Sequence, residues 1–145
     1  LGAVIALFHD VLVVVAAFAF MRVLGKTFEV DQVIVAALLT VIGYSINDTV
    51  VVFDRIRENL AIRPHEKVID TFNLSINTTM NRTLITSVTT LVVVLMLLIF
   101  GGEVLRGFSF SIVIGILIGT YSSVFIAAPI VLDLGKKAYA IKGAK

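Results

Sequence analysis

Asp48 is the residue whose type and place most invite chemistry. It stands in GYSINDTVVVFDRIR, residues 43–57, directly after the apolar run VIVAALLTVI. About 20 consecutive, mostly apolar residues cross a bilayer core as a helix, so this carboxylate is expected inside a membrane. Thr40, Tyr44, Asn47, Asp48 and Arg55 fall near one side of that helix. Turning the Asp alone to lipid costs about 3 kcal/mol, so the face must point into a helix bundle or a wet cavity. A matching cation follows in INTTMNRTLITSVTT, where Arg82, Thr86 and Thr90 share a face. By helical rise, Asp48 lies roughly 9 Å inside the C-terminal end of its span and Arg82 roughly 8–13 Å inside the start of the next. The two helices run antiparallel, so the charges can meet at one depth. A carboxylate that gains and loses an Arg neighbour as helices move also gains and loses a proton, which makes the pair a proton-coupling element. Tyr44, Asn47 and Thr86 are placed to orient water around it. The plainer role is a buried tie between helices, with Arg82 snorkelling to the headgroups.

His9 and Asp10 interrupt the first apolar run midway. Neighbours on a helix diverge by about 100°, so the two are not expected to act as one pair. His9 titrates near neutrality in its free form and could join a relay; the plainer role for both is a hydrogen bond to a neighbouring helix. No HExxH, GxSxG or P-loop occurs and there is no cysteine, so no enzyme, metal site or cofactor is expected. Protons are the only coupling ion in view.

These residues need a membrane scaffold, and composition supplies one. The 145 residues are 59% hydrophobic, with mean hydropathy +1.06. Four apolar runs span about 1–23, 31–54, 77–100 and 106–132. The class is an all-α polytopic membrane helix bundle, because the runs are continuous rather than alternating as in a β-barrel. A net charge of +2 is too small to imply nucleic acid. Between the second and third spans lies a polar loop, about 55–76. In it Pro64 can open a short helix, with Val68, Ile69, Phe72 and Ile76 forming one apolar face that lies on the membrane surface or packs on the bundle. Gly101 and Gly102 mark a tight turn.

On the fourth span Gly107, Ser111, Gly115, Gly119, Ser123 and Ala127 recur at every fourth residue. Such a stripe lets two backbones approach closely, since packing drives helix association in lipid. It is a packing face, toward a sister helix or a partner. Nine of the twelve basic residues lie in the 55–82 region and in the tail over 133–145. By the positive-inside rule, that loop, the tail and both ends are cytoplasmic. The chain lacks an initiator Met, has no convincing signal peptide, and reads as the interior and C-terminal part of something longer.

The stretches ALFHDVLVV, VIGYSINDTVVVFDRIRENL, NTTMNRTLITSVTTL, IFGGEVLRGFSF and IGTYSSVFIAAPIVL together resemble the SecF family, the C-terminal membrane region of bacterial SecD/SecF protein-export proteins. The likeness runs nearly end to end. It implies a fold similar to resistance–nodulation–division transporters and the last four of six spans. It also implies residence in the bacterial cytoplasmic (inner) membrane. The expected role is that of an accessory subunit that works with SecD beside the SecYEG channel. Such a subunit uses the proton-motive force to help preproteins across after ATP-driven insertion. The family's intramembrane charges match Asp48 and Arg82, and a further carboxylate comes from SecD. Two rival roles stand beside this one. One is a purely structural scaffold of the translocase. The other is a proton-coupled exporter of small molecules, against which the long SecF-like block speaks.

Overall fold

The structure, a computed structural model, describes residues 1–25 and 32–143, with side chains up to residue 135. Lys26 and the side chains of Lys136, Lys137, Lys142 and Lys145 lie outside the described set. Helix α1 runs Gly2–Val23, α2 Gln32–Ile62, α3 Val68–Phe100, α4 Gly102–Ser122 and α5 Ala128–Gly143, with a π-helical turn over Ser123–Ala127 between the last two. Four of these stretches are long and apolar enough to cross a membrane, the fourth being the continuous rod Gly102–Gly135. The protein is a multi-pass helical bundle.

The polar loop is shorter than expected. The helix of the second span continues to Ile62 and α3 begins at Val68, so the connection is 63–67. The anticipated amphipathic helix exists, but as the first turns of α3 rather than as a separate element. No Gly or Pro occurs between residues 65 and 100, so nothing ends the helix where the chain enters the membrane. Pro64 sits in the turn itself. Val68, Phe72 and Ile76 do share a face, and it packs on Val52, Ile56 and Ala128 rather than lying on lipid. Ile69 falls off that face and is 40% exposed.

At the other end α3 passes to α4 through Gly101, and Gly102 takes φ +74°, a left-handed conformation that glycine adopts without steric cost. The α4–α5 rod changes its hydrogen-bond register at the π turn. Pro129 has no N–H to return to the carbonyl four residues back, and the helix widens just before it. The Ala128 N–H then bonds to Ser123 O, five residues back, as in π geometry.

Helix α4 is the axis of the bundle. Half of the apolar window of its rod is buried, 50%, against 17–33% for the other three spans. Its inner face meets Val14 of α1, Val41 of α2 and Val94 of α3 around Ile112, Val113 and Ile116. Phe18 of α1 meets Phe110 of α4 edge-on at 5.4 Å. Outward surfaces are apolar instead: Phe8, Leu12, Val92, Val93, Met96 and Ile99 are all exposed. In lipid the usual inside–outside contrast is lost, and small and hydroxylated residues take the interior. Ser109, Ser111, Ser122 and Ser123 are fully buried here.

Candidate functional site

All six residues of the four-residue stripe are buried; its middle faces α2, and Ala127 at its end lies against Gly2 of α1. Gly115 lies against the Val41 side chain and Gly119 against Ser45. This close approach draws α2 onto α4 and fixes which way α2 faces. Asp48, one turn beyond Ser45, is thereby carried inward and is 6% exposed.

Asp48 looks toward α3. Thr83 and Arg82 are the groups that act on its carboxylate. Among the described residues its Oδ2 has no hydrogen-bond partner, and neither has Thr83 Oγ1. Among the described residues Arg82 makes no ion pair with Asp48; the ion pairs present are His9–Asp10, Arg55–Glu58 and Arg63–Glu66. Arg82 is exposed on this chain. Arg82 is therefore near enough to act on Asp48 without an ion pair between them, and one oxygen of the buried carboxylate has no hydrogen-bond partner among the described residues. Buried polar atoms are rarely left so, and an intramembrane ionisable group marks a functional site by default.

The residues expected to order water here have other engagements. Thr86 donates its hydroxyl to the backbone of its own helix, to Arg82 O and Thr83 O at 3.0 Å each. Asn47 is exposed, because one residue's rotation from Asp48 carries it out of the interior. Tyr44 reaches inward and donates to Ser87 Oγ at 3.1 Å, and Ser87 in turn shares a hydrogen bond with Thr120 of α4 at 2.8 Å. Tyr44 with Ser87 is thus a hydrogen-bonded rung between antiparallel α2 and α3, one level from Asp48 and Thr83, which face each other without such a bond. A second rung closes the end near the 63–67 turn, where Asn59 Nδ2 donates to Ser75 Oγ at 2.8 Å.

A second carboxylate lies deeper. Asp10 is 1% exposed. Its Oδ2 accepts the hydroxyls of Ser45 at 2.6 Å and Ser122 at 2.8 Å, and its Oδ1 lies 3.1 Å from His9 Nδ1. The hydrogen bonds from Asp10 to neighbouring helices match the plainer expectation. The contact with His9 corrects the expectation that the two would not pair. The Asp side chain is short and points to the core, while the longer imidazole folds back along α1 to reach it. Ser45, Ser122, Ser87, Thr83 and Thr120 were not singled out by sequence reasoning as site residues. The signal was present in part: Ser45 lies in the GYSINDT block, and its depth on α2 equals that of Asp10 on antiparallel α1.

Long apolar helices enclosing paired, buried carboxylates and a row of hydroxyls define a polytopic membrane protein with ionisable groups inside the membrane. The chain belongs to the family of protein export membrane proteins SecD/SecF, C-terminal, whose model matches residues 1–137. It is 59% identical over 144 residues to the protein translocase subunit SecF of Rhodothermus marinus, covering 97% of this chain and 46% of that protein. It is 55% identical over 135 residues to the same subunit of Cereibacter sphaeroides, covering 93% of this chain and 40% of that one. Among solved structures it resembles the SecDF crystal structure in super-membrane-facing form. There the TM-score is 0.84 with 42% identity, covering 99% of this chain and 19% of that chain. It also resembles SecDF from Thermus thermophilus, described as a translocon-associated membrane protein. That match has TM-score 0.82 and 43% identity, covering 93% and 18%. The chain thus spans less than half the length of these curated relatives.

Proposed function

We propose that this chain is the membrane part of a SecF-type accessory subunit of the bacterial Sec translocase. Together with SecD and beside the SecYEG channel, it uses the proton-motive force to drive late steps of preprotein export across the cytoplasmic membrane. Asp48 is the proton-carrying group. Arg82 is its counter-charge, and protons rather than any bound cofactor couple the cycle. The carrying observation is the buried Asp48 carboxylate with an unpartnered oxygen and a nearby, unpaired Arg82. A carboxylate buried inside the membrane and not held in an ion pair is suited to take up and release a proton. The 63–67 turn and both ends of the chain face the cytoplasm, in keeping with the distribution of Lys and Arg.

The test is Asp48→Asn in the full-length protein, following preprotein export with and without a proton gradient and checking SecD association by co-purification. Loss of gradient-driven export from an intact complex supports the reading. Export that stays gradient-driven would make Asp48 a structural tie and move the proton path elsewhere.

A further inference from the structure

Asp10 plays no part in the Asp48–Arg82 element, yet it is the more enclosed of the two buried carboxylates. Three helices meet on it: α1 supplies it, Ser45 comes from α2, and Ser122 ends α4. Neither serine carries charge. Of the titratable groups around it, α2 brings Tyr44, whose hydroxyl is given to Ser87, and Asp48, one turn beyond Ser45. From α4 comes Tyr121, which is exposed and stacked on Phe125; the π turn brings none. Asp133 of α5 is exposed, and Arg22 of α1 lies three turns away. His9 is therefore the described group that can neutralise Asp10. Its side chain is 38% exposed, so the ring bridges a fully buried oxygen and the outer face of the chain.

We propose that His9 and Asp10 form a second proton-binding site, and that its occupancy sets how firmly α1 is held to α2 and to the π turn of the α4–α5 rod. In the empty state the imidazole is neutral and Asp10 is a carboxylate. Loading adds one proton at Nε2, the ring nitrogen that Asp10 does not engage; the Nδ1–H bond then breaks as an Oδ1–H bond forms, leaving neutral imidazole and a carboxylic acid. Unloading reverses both steps. Hydrogen bonds to an ionised acceptor are roughly twice as strong as neutral ones, so the empty site grips Ser45 and Ser122 and the loaded site relaxes them. Ser122 directly precedes the π turn, where helix hydrogen bonding already departs from the α register. The proposal rests on the proton-driven reading for its purpose, but its chemistry is independent of Asp48.

The experiment is an acid-minus-alkaline infrared difference spectrum of the full-length protein with SecD in proteoliposomes, with parallel nitrogen NMR of labelled histidine. A carboxylic-acid band is expected that is absent in Asp10→Asn, persists in Asp48→Asn, and titrates together with a His9 ring signal. Identical spectra for Asp10→Asn and the parent would overturn the proposal, because a carboxylate that never protonates is only a tie. If Asp10→Asn does not assemble, His9→Gln decides: the Asp10 band must shift its titration, and an unmoved band rules the pair out. None of these readouts uses export, so a failure of the Asp48 reading shows separately, as gradient-driven export surviving Asp48→Asn.

Discussion

Gly115 of α4 sits directly against Val41 of α2, with no room between them for a methyl group. A Cβ at Gly115 would lie 2.6 Å from Val41 Cγ1 and 2.9 Å from its Cβ. At Gly119, one turn on, the nearest atom would be Ser45 Cβ at 3.4 Å. The two glycines therefore have different tolerances although the stripe treats them alike. Gly115→Ala is expected to destabilise the bundle by about 1–3 kcal/mol, and Gly119→Ala by clearly less. Denaturant unfolding in detergent checks the contrast, and Val41→Ala should restore part of the loss at Gly115, since it removes both γ-methyls but keeps the Cβ. Equal effects at the two sites would refute this packing.

Asp48→Asn is expected to leave the fold as stable as before, or more so, while abolishing gradient-driven export. The carboxylate is buried with one oxygen unpartnered, and replacing a buried unsatisfied charge by a neutral isostere removes a desolvation cost. Thermal unfolding of the variant, set beside the export assay, separates this from a structural tie, for which stability and export fall together.

Ser87 receives the Tyr44 hydroxyl and shares a bond with Thr120. Tyr44→Phe removes one bond and should cost about 1 kcal/mol. Ser87→Ala orphans two hydroxyls at once and should cost about 2 kcal/mol or more. A double-mutant cycle across Tyr44 and Ser87 measures their coupling, and additive losses would show that the rung is not formed.

At the end near the 63–67 turn, Asn59 is 5% exposed and bonds to Ser75, which is fully buried. Asn59→Leu should destabilise the α2–α3 hairpin by about 1 kcal/mol, the net worth of one lost hydrogen bond, because Ser75 still donates its hydroxyl to Thr71 O at 2.7 Å. Glu66→Gln, which breaks the exposed pair with Arg63, should change stability by no more than about 0.5 kcal/mol. Hydrogen exchange at the ends of α2 and α3 reports both.

The sequence by itself determined the four spans, the membrane class and the family, because length of apolar run and the GYSINDTVVVFDRIR block are local properties of the chain. The small-residue stripe and the misfit of Asp48 with lipid were legible for the same reason. Helix rotation was not. In water a hydrophobic face marks the inside, but both faces of these helices are apolar and lipid accepts either. That Asp48 turns inward followed from its misfit with lipid; tertiary packing decided that Asn47, placed near the same side by the sequence, turns out, and that α2 meets α4 where Val41 approaches Gly115. It also decided that Asp10 meets Ser122, 112 residues away, a pairing no periodicity encodes. Likewise, the helix of the third span is expected to begin before residue 77, and packing of its first turns on α2 lets it run from Val68. The polarity change there reflects entry into the membrane, and a helix crosses that boundary unbroken when nothing in the backbone stops it.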